Sequence, residues 1–383
     1  MPSLLRDRTG AQRVTNVELF FDLVYVFAIT QLSHTLIDRP TVEGALQTLL
    51  LLVMVWLAWA YTTWVTNWFD PERLPIRAML LAQMLASLVM SVGLPYAFAG
   101  RGLMVVAALV AMQVVRTAYI VLVTPYGPLR RNFERIVVWL LVSGAFYLSG
   151  AFVDGHAREL LWLLGIAVDL AGGAVGYYTP GLGRSHTDEW TIEGGHFAER
   201  CQLFVIIALG ESIVVTGQAL SDQHPIHGQD VAAFITALVG SVALWWVYFD
   251  RSASDGARMI AESDDPGRLG RSAYHWMHLI MVGGIIVAAA ADELVFEHPD
   301  VHAETATAWM VLGGAALFLA GHAGFKAIVW LVVPWTRMAA IAVLALLGIV
   351  APHVSALTLA IVATVVVAAV AASDRLRALS PRY

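Results

Sequence analysis

The sequence predicts an all-α fold, a polytopic transmembrane helix bundle of about twelve spans arranged as two parallel six-helix repeats. Composition supports the membrane assignment, since 58% of the 383 residues are hydrophobic, 14% are charged and the mean hydropathy is +0.70. A soluble chain of this length would need far more polar surface. Long apolar runs recur along the chain, and arginines gather in alternate loops between them, which indicates many helices crossing one bilayer.

A transmembrane helix needs about 20 apolar residues at a rise of 1.5 Å per residue. We interpret the first apolar run as a retained span, because it is too long for a signal peptide, contains acidic residues and lacks a small-residue cleavage site. The limits of spans ten and eleven depend on the Gly321–Gly324 stretch and on Pro334. The twelve predicted spans are 17–36, 44–68, 76–99, 103–124, 134–153, 159–178, 199–220, 230–249, 273–294, 305–330, 335–351 and 353–373.

Basic residues predict the orientation, because cytoplasmic loops of membrane proteins carry an excess of Lys and Arg. With the N-terminus in the cytoplasm, the external loops hold only Arg39, Arg101 and Arg158. The number of spans is then even, and both termini are cytoplasmic. The loops and tail predicted to be cytoplasmic carry Arg73, Arg77, Arg130, Arg131, Arg135, Arg184, Arg200, Arg251, Arg258, Arg268, Arg271, Arg375, Arg377 and Arg382.

An internal duplication would divide the chain into a first repeat at 1–180, a cytoplasmic linker at 181–195 and a second repeat with a basic tail at 196–383. Because six is an even number, such repeats are related by an axis along the membrane normal. The alternative is that aromatic residues simply cluster at the membrane interfaces. The matching pairs are Leu19-Phe20 with Leu203-Phe204, and Trp68-Phe69-Asp70 with Tyr248-Phe249-Asp250.

Span 1 opens with two carboxylates, Glu18 and Asp22, which are four residues apart and therefore share a helix face. An acidic residue at mid-membrane costs roughly 2.5–3.5 kcal/mol on translocon scales, so buried acids normally face protein or water and have a partner. One interpretation is an access site for ions or protons. The alternative is structural, with both acids accepting hydrogen bonds from a neighbouring Arg or Trp.

Span 7 places Arg200, Phe204, Ile207 and Glu211 on one helix face. Glu211 lies roughly 16 Å beyond Arg200 and therefore near the middle of the bilayer. Ser212 adds a hydroxyl beside it. Glu211 is the principal candidate for contact with a transported species, and the alternative is a protonated Glu that is hydrogen-bonded between helices.

Other polar residues within the spans are less informative. Asp169 lies near the middle of span 6 and joins the predicted pathway. We attribute His275, His278 and His322 to core packing, because no HExxH or His/Cys array accompanies them. The one cysteine, Cys201, excludes an intramolecular disulfide and a cysteine-based metal site. We expect no cofactor and no metal, and no basic, aromatic-interleaved stretch predicts nucleic-acid binding.

Two long motifs resemble a known family. Residues 18–32, Glu-Leu-Phe-Phe-Asp-Leu-Val-Tyr-Val-Phe-Ala-Ile-Thr-Gln-Leu, resemble the signature of the bacterial low temperature requirement protein A family. Residues 199–204 and 208–213 resemble its second signature, and the similarity runs from about residue 11 to about residue 373. The resemblance implies a multi-pass protein of the bacterial cytoplasmic (inner) membrane. The family has no settled biochemical activity, so its cold-growth name leaves the mechanism open.

Residues 20–32 are also similar to the F-S-D first helix of a potassium-channel family, whose six-helix unit is duplicated to twelve helices in its eukaryotic members. That signature has an Arg four residues before the Phe. Span 1 keeps the acid, Asp22, but has Asn16 at the Arg position, whereas span 7 keeps Arg200 four residues before Phe204. The resemblance therefore implies one Arg–Asp network divided between two repeats.

We predict two groups of functional residues. In span 2, Trp64-Val-Thr-Asn67 is similar to a Trp-x-x-Asn/His pattern of the channel family, so we assign Trp64 and Asn67 to the structural or gating network. The predicted ion or solute pathway comprises Glu211, Asp22, Glu18, Ser212 and Asp169. The predicted structural or gating network comprises Arg200, Glu199, Asn16, Asn67, Trp64, Phe20 and Phe204.

The sequence is compatible with three functions. The first is permeation of a cation, proton or small solute between the two repeats, with the lipid bilayer, a monovalent cation or proton, and a further copy of the chain as partners. The second is a non-catalytic protein that acts on partners or on lipid order. The third is an intramembrane enzyme, for which His196 and Glu199 are the nearest approach to a site. We expect no enzymatic activity, because no nucleophile–base pair or phosphate-binding loop appears.

Overall fold

The computed structural model describes residues 4–7, 10, 12–185, 192–221 and 223–379. In these ranges the chain consists of helices joined by loops, and no β-strand occurs there. Eleven helical stretches in these ranges are long and apolar enough to cross a membrane. A further helix, His156–Ala174, lies where the sequence predicts span six, but it carries Arg158, Glu159 and Asp169 within 19 residues. The prediction of an all-α polytopic membrane protein is confirmed.

The first seven helices match the predicted spans closely, except that span four is divided. A π-helical turn, Ala111–Val115, interrupts it, and a short 3-10 turn, Leu94–Tyr96, extends the third helix. The helices are α1 Asn16–Asp38, α2 Val42–Trp68, α3 Leu74–Gly93, α4 Gly102–Val110, α5 Arg116–Val123, α6 Pro128–Gly150 and α7 His156–Ala174.

The remaining helices agree with the predicted limits of spans ten and eleven and extend span nine. A π-helical stretch, Gly270–Met277, joins α11 to α12, and a 3-10 turn, Ala351–His353, follows α14. The helices are α8 Gly194–Ser221, α9 Gly228–Phe249, α10 Ser252–Ala261, α11 Pro266–Leu269, α12 His278–Glu297, α13 Thr305–Trp330, α14 Trp335–Val350 and α15 Ala356–Leu379.

The helices form two compact units. The first contains Met1–Thr35, Leu46–Arg200 and Ser263–Arg268, and the second contains Leu36–Ala45, Cys201–Glu262 and Leu269–Tyr383. Helix α8 therefore contributes its first turns to the first unit and the rest of its length to the second. The predicted parallel relation between two repeats stays a prediction.

Local sequence signals set several helix ends. Helix α6 begins at Pro128, whose missing N–H is not needed in the first turn. Helix α9 begins with a reciprocal cap, in which the Asp230 carboxylate accepts the His227 N–H at 2.7 Å. Helix α13 ends where Leu331 adopts the left-handed region at φ 54°.

Small residues allow α12 and α13 to pack closely within the second unit. A Cβ added at Gly284 would lie 2.5 Å from the backbone nitrogen of Phe318, and one added at Gly314 would lie 2.7 Å from that of Ala288. Without a hydrophobic driving force between helices in lipid, such close approach supplies the packing contacts that hold spans together. This pair of helices forms one wall of the cavity described below.

Candidate functional site

Five ionisable side chains meet inside the first unit, and we call them the ionic cluster. They are Arg6, Glu18, Asp22, His196 and Arg200, and all are buried. Glu18 and Asp22 lie one turn apart on α1, and His196 and Arg200 lie one turn apart on α8. Because residues four apart share a helix face, each helix contributes one polar stripe to the cluster.

The segment before α1 brings Arg6 into the cluster. The Arg6 N–H donates to the Trp68 carbonyl at 2.9 Å, and the Asp70 N–H donates to the Leu4 carbonyl at 2.9 Å. This short antiparallel pairing holds the segment against the end of α2. The Arg6 guanidinium then turns inward, and its Nε donates to the Thr66 carbonyl at 2.6 Å.

Glu18 accepts hydrogen bonds on both of its oxygens. Oε2 accepts from Arg6 Nη2 at 2.7 Å and from the backbone N–H and hydroxyl of Thr15, each at 2.9 Å. Oε1 accepts from Arg200 Nη1 at 3.1 Å and lies 2.9 Å from His196 Nε2. A carboxylate with this many donors is held in one orientation.

Asp22 forms the closest ion pair of the cluster. Arg200 Nη2 donates to Oδ1 at 2.6 Å and Arg200 Nε donates to Oδ2 at 2.9 Å, which is the two-point geometry that a guanidinium favours. The Trp59 indole N–H adds a bond to Oδ1 at 2.7 Å. Arg200 Nη1 also donates to the Thr66 hydroxyl at 3.0 Å.

The hydrogen bonds of Asn67 assign the tautomer of His196. The Asn67 Oδ1 accepts the Glu193 N–H at 2.8 Å and its Nδ2 donates to the Glu193 carbonyl at 2.9 Å, so the amide orientation follows from the backbone. The same Nδ2 lies 3.1 Å from His196 Nδ1, which must therefore be an acceptor. The ring proton therefore sits on Nε2 and is donated to Glu18. Arg6 Nη2 lies 3.1 Å from Nε2 but cannot donate to a protonated nitrogen, and it donates to Glu18.

The ionic cluster is therefore balanced in charge. Two guanidinium groups face two carboxylates, and the imidazole between them is neutral. A cation or metal ion could reach Glu18 or Asp22 only by displacing Arg6 or Arg200. Removing one member of such a buried set strands the others, whereas the complete set is stable. The geometry favours a structural role for both acids over direct contact with a solute.

Two residues predicted to belong to this network lie away from it. Asn16 is exposed at the first position of α1, and Phe20 is 55% exposed on the outer face of that helix. The neighbouring Phe21 is buried instead, with the Arg200 guanidinium 5.9 Å from its ring centroid. Phe21 rather than Phe20 therefore lies beside the arginine, and a gating role for Phe20 stays a prediction.

Other predicted residues do surround the cluster. Glu199 accepts the Val14 N–H at 3.0 Å, which ties the segment before α1 to α8. The Trp64 ring packs on Phe197 with centroids 4.9 Å apart, beside the cluster. Together with Asn67 these contacts brace the first turns of α8, and their part in gating stays a prediction.

Sequence reasoning did not identify three members of this site. Arg6 precedes the first span, and no local pattern shows that it folds back inside. Trp59 is one of several tryptophans in span 2, and no local pattern distinguishes it from the others. His196 drew attention only as a partner of Glu199, whereas its ring contacts Glu18, Asn67 and Arg6. The acids Glu18 and Asp22 within a span indicate that hydrogen-bond donors lie nearby, but the sequence does not show which residues these donors are.

The second unit holds a cavity of about 50 Å³ among its helices. Ser212, from the predicted pathway, lines the cavity. Glu211, the residue before Ser212, is buried but does not line the cavity. Phe204 is buried two turns earlier on α8. The full lining is Leu209, Ser212, Gly240, Ser241, Leu244, Ile285, Ala288, Ala291, Asp292, Val311, Ala315, Ala360, Ala363, Thr364 and Val367.

The carboxylate of this cavity is Asp292. The predicted span nine, 273–294, includes Asp292 close to its end, and α12 continues beyond it to Glu297. Asp292 therefore lies within the helix rather than in the loop that follows. The Ser212 hydroxyl lies near the Asp292 carboxylate, and the Ser212 and Ser241 hydroxyl oxygens lie 3.4 Å apart. Within the described residues Asp292 has no Arg, Lys or His partner.

Asp169 occupies a separate position in the first unit. It is buried on α7, and its Oδ2 accepts the Tyr147 hydroxyl at 2.9 Å and Gln113 Nε2 at 3.5 Å. The predicted pathway residues are thus distributed over three places. Glu18 and Asp22 lie in the ionic cluster, Ser212 lies at the cavity with Glu211 adjacent in sequence, and Asp169 lies apart from both groups.

A model of the family described as "Bacterial low temperature requirement A protein (LtrA)" matches residues 13–372. The chain is 34% identical over 343 residues to a Rhizobium meliloti (strain 1021) protein named "Uncharacterized protein RA0937", covering 89% of this chain and 84% of the relative. No solved structure matches the chain. The resemblance to the potassium-channel family stays a prediction.

Proposed function

The chain belongs to the bacterial low temperature requirement A (LtrA) family, and we propose that it carries protons or small monovalent cations across the membrane through the cavity of its second unit. The observation that supports this most directly is Asp292. It is an ionisable side chain inside a membrane-spanning helix, it lines a cavity, and it has no cationic partner among the described residues. Such residues mark proton and ion pathways in membrane proteins.

The size and chemistry of the cavity suit a small hydrated ion. Its volume of about 50 Å³ exceeds what one water molecule needs. Asp292, Ser212, Ser241 and Thr364 are among its lining residues, and carboxylate and hydroxyl oxygens are suitable ligands for hydronium and for hard cations. The other lining residues are mostly Ala, Leu, Ile and Val, which limit competing polar contacts.

Glu211 is a second carboxylate of the proposed pathway. It is buried on α8 one residue before Ser212. We place Asp292 in contact with the ion and Glu211 on the route to or from it. Transmembrane helices in a bacterial family also support location in the cytoplasmic membrane, because proteins of the outer membrane span it as β-barrels.

The test is flux through the purified protein in liposomes. A pH-sensitive dye inside the vesicles reports proton movement, and Na⁺ and K⁺ gradients are imposed in turn. We expect Asp292→Asn to lower the flux by about tenfold or more, because it removes the carboxylate from the cavity. Ser212→Ala should cause a smaller loss.

The matched control is Glu297→Gln. Glu297 is an exposed acid at the end of the same helix, so the variant removes one negative charge without touching the cavity. Flux equal to empty liposomes for folded wild-type protein under every gradient would refute transport. It would favour instead a non-catalytic protein acting on partners or lipid order, for which the balanced ionic cluster supplies a stable frame.

A further inference from the structure

A buried arginine in the first unit has no carboxylate partner among the residues that the structure describes. Arg116 is 1% exposed and lies directly after the π-helical turn Ala111–Val115. Within the described residues, no nitrogen of Arg116 lies within 4.0 Å of a carboxylate oxygen. π-Helical turns occur often at functional sites, because the extra residue redirects the side chains that follow it. The position of Arg116 therefore calls for a compensating group.

The protein satisfies only part of this guanidinium. Arg116 Nη1 donates to the Thr62 hydroxyl at 3.0 Å and Nη2 to the Thr117 hydroxyl at 3.4 Å, and the group lies 5.6 Å from the Tyr61 ring centroid. Arg116 Nε has no acceptor in the described part of the chain. A buried donor without an acceptor costs free energy, so an additional partner is expected.

Two acceptors nearby are in the complementary condition. Asp169 Oδ1 and Gln113 Oε1 are both buried, and neither accepts a hydrogen bond of normal geometry in the described ranges, although the Ser143 hydroxyl lies near the Asp169 carboxylate. The other oxygen of Asp169 accepts from Gln113 Nε2 at 3.5 Å, so the two side chains adjoin. Gln113 lies three residues before Arg116 on the same helical stretch and contacts Asp169, so it links the surroundings of Arg116 to that carboxylate.

We propose that Arg116, Gln113 and Asp169 form a buried water site that joins Arg116 to Asp169. Water has the required donors and acceptors, since its oxygen accepts from Arg116 Nε and its two hydrogens are donated to Asp169 Oδ1 and Gln113 Oε1. Ordered water typically satisfies buried polar groups in this way. A negative ion would instead be repelled by Asp169. The site stands independently of transport through the second unit.

The experiment is radiolytic hydroxyl labelling of the intact wild-type protein in ¹⁸O-water. A bound water converts to a hydroxyl radical in place and labels the side chains beside it. Tyr147, which donates to Asp169 at 2.9 Å, is the reporter. Tyr248 is an internal control, because it is equally buried and its hydroxyl lies 2.6 Å from His278 Nε2. We expect Tyr147 to label about tenfold faster than Tyr248.

A variant separates bound water from general leakage of solvent. Asp169→Leu removes both acceptor oxygens and should reduce Tyr147 labelling to the rate of Tyr248, whereas Asp169→Asn keeps a carbonyl and should retain most of it. Equal, background labelling of Tyr147 and Tyr248 in the wild type would overturn the proposal, even if Asp169→Leu fails to fold. Unchanged Tyr147 labelling in a folded Asp169→Leu variant would overturn it as well.

Discussion

Arg200 and Arg116 are both fully buried in the first unit, yet their surroundings differ. Arg200 donates to two carboxylates, Asp22 and Glu18, and to the Thr66 hydroxyl. Arg116 donates to two hydroxyls and has one nitrogen without an acceptor in the described chain. The first arginine belongs to a closed and neutral set, whereas the second has no carboxylate oxygen within 4.0 Å among the described residues.

The difference shows that a buried charge among these helices has one of two roles, depending on whether its hydrogen bonds are all satisfied. A closed set holds segments together and resists substitution, because each group is the counter-charge of another. A partly satisfied group attracts water or a ligand, because an unmet donor in a low-dielectric interior is costly. Asp292 in the second unit resembles Arg116 in this respect, since hydroxyls rather than an opposite charge surround it.

The largest effect is expected from Asp22→Ala, which opens the closed set. Arg200 would lose its two-point partner, and breaking a buried ion pair from one side costs about 3–5 kcal/mol. The single cysteine, Cys201, is buried, so its reaction with a thiol-specific dye on heating reports unfolding. The apparent midpoint should fall strongly. A shift no larger than that of a surface variant would show that the cluster does not hold the fold.

The matched surface variant is Glu72→Ala. Glu72 pairs with Arg77 at 2.6 Å, but both side chains are exposed. Exposed pairs contribute about 1 kcal/mol or less, so little change is expected. A double variant, Asp22→Leu with Arg200→Met, should be more stable than either single replacement, because it removes both charges together.

Replacement by lysine sharpens the comparison between the two arginines. Arg200→Lys should cost about 2 kcal/mol more than Arg116→Lys, because an ammonium cannot reproduce the planar two-point contact with Asp22. At Arg116 the bonds run to separate hydroxyls, and a lysine retains the charge. Thermal unfolding reported by Cys201 measures both variants. Equal losses would mean that Arg116 is as tightly bound as Arg200, and the contrast between the two sites would fail.

Much of the fold is predictable from the sequence because it follows from local patterns. Apolar length predicts the spans, and the four-residue spacing of Glu18 and Asp22 predicts a shared face. The spacing does not identify the neighbour, so Arg6 and His196 were missed, since they come from a segment outside α1 and from a distant helix. Only the three-dimensional packing brings them together.

The cavity was missed for a different reason. Hydropathy predicts that Asp292 lies near the end of span nine, but it does not show that the residue lines a cavity. Arg116 lies within span four and belongs to neither the loop arginines nor the acidic motifs. Its environment depends on a π-helical turn that has no clear sequence signature. Features of this kind require the structure.

The smallest expected effect compares two threonines one turn apart on α2. Thr62 Oγ1 accepts from Arg116 Nη1 at 3.0 Å, and Thr66 Oγ1 accepts from Arg200 Nη1 at 3.0 Å. Thr62→Val should cost about 1–2 kcal/mol and Thr66→Val less than about 1 kcal/mol, because Arg200 retains its carboxylates while Arg116 loses one of few acceptors. Cys201 again reports unfolding. The reverse order would show that a protein group outside the contacts described here compensates Arg116, and the water-bridged pair would then be unnecessary.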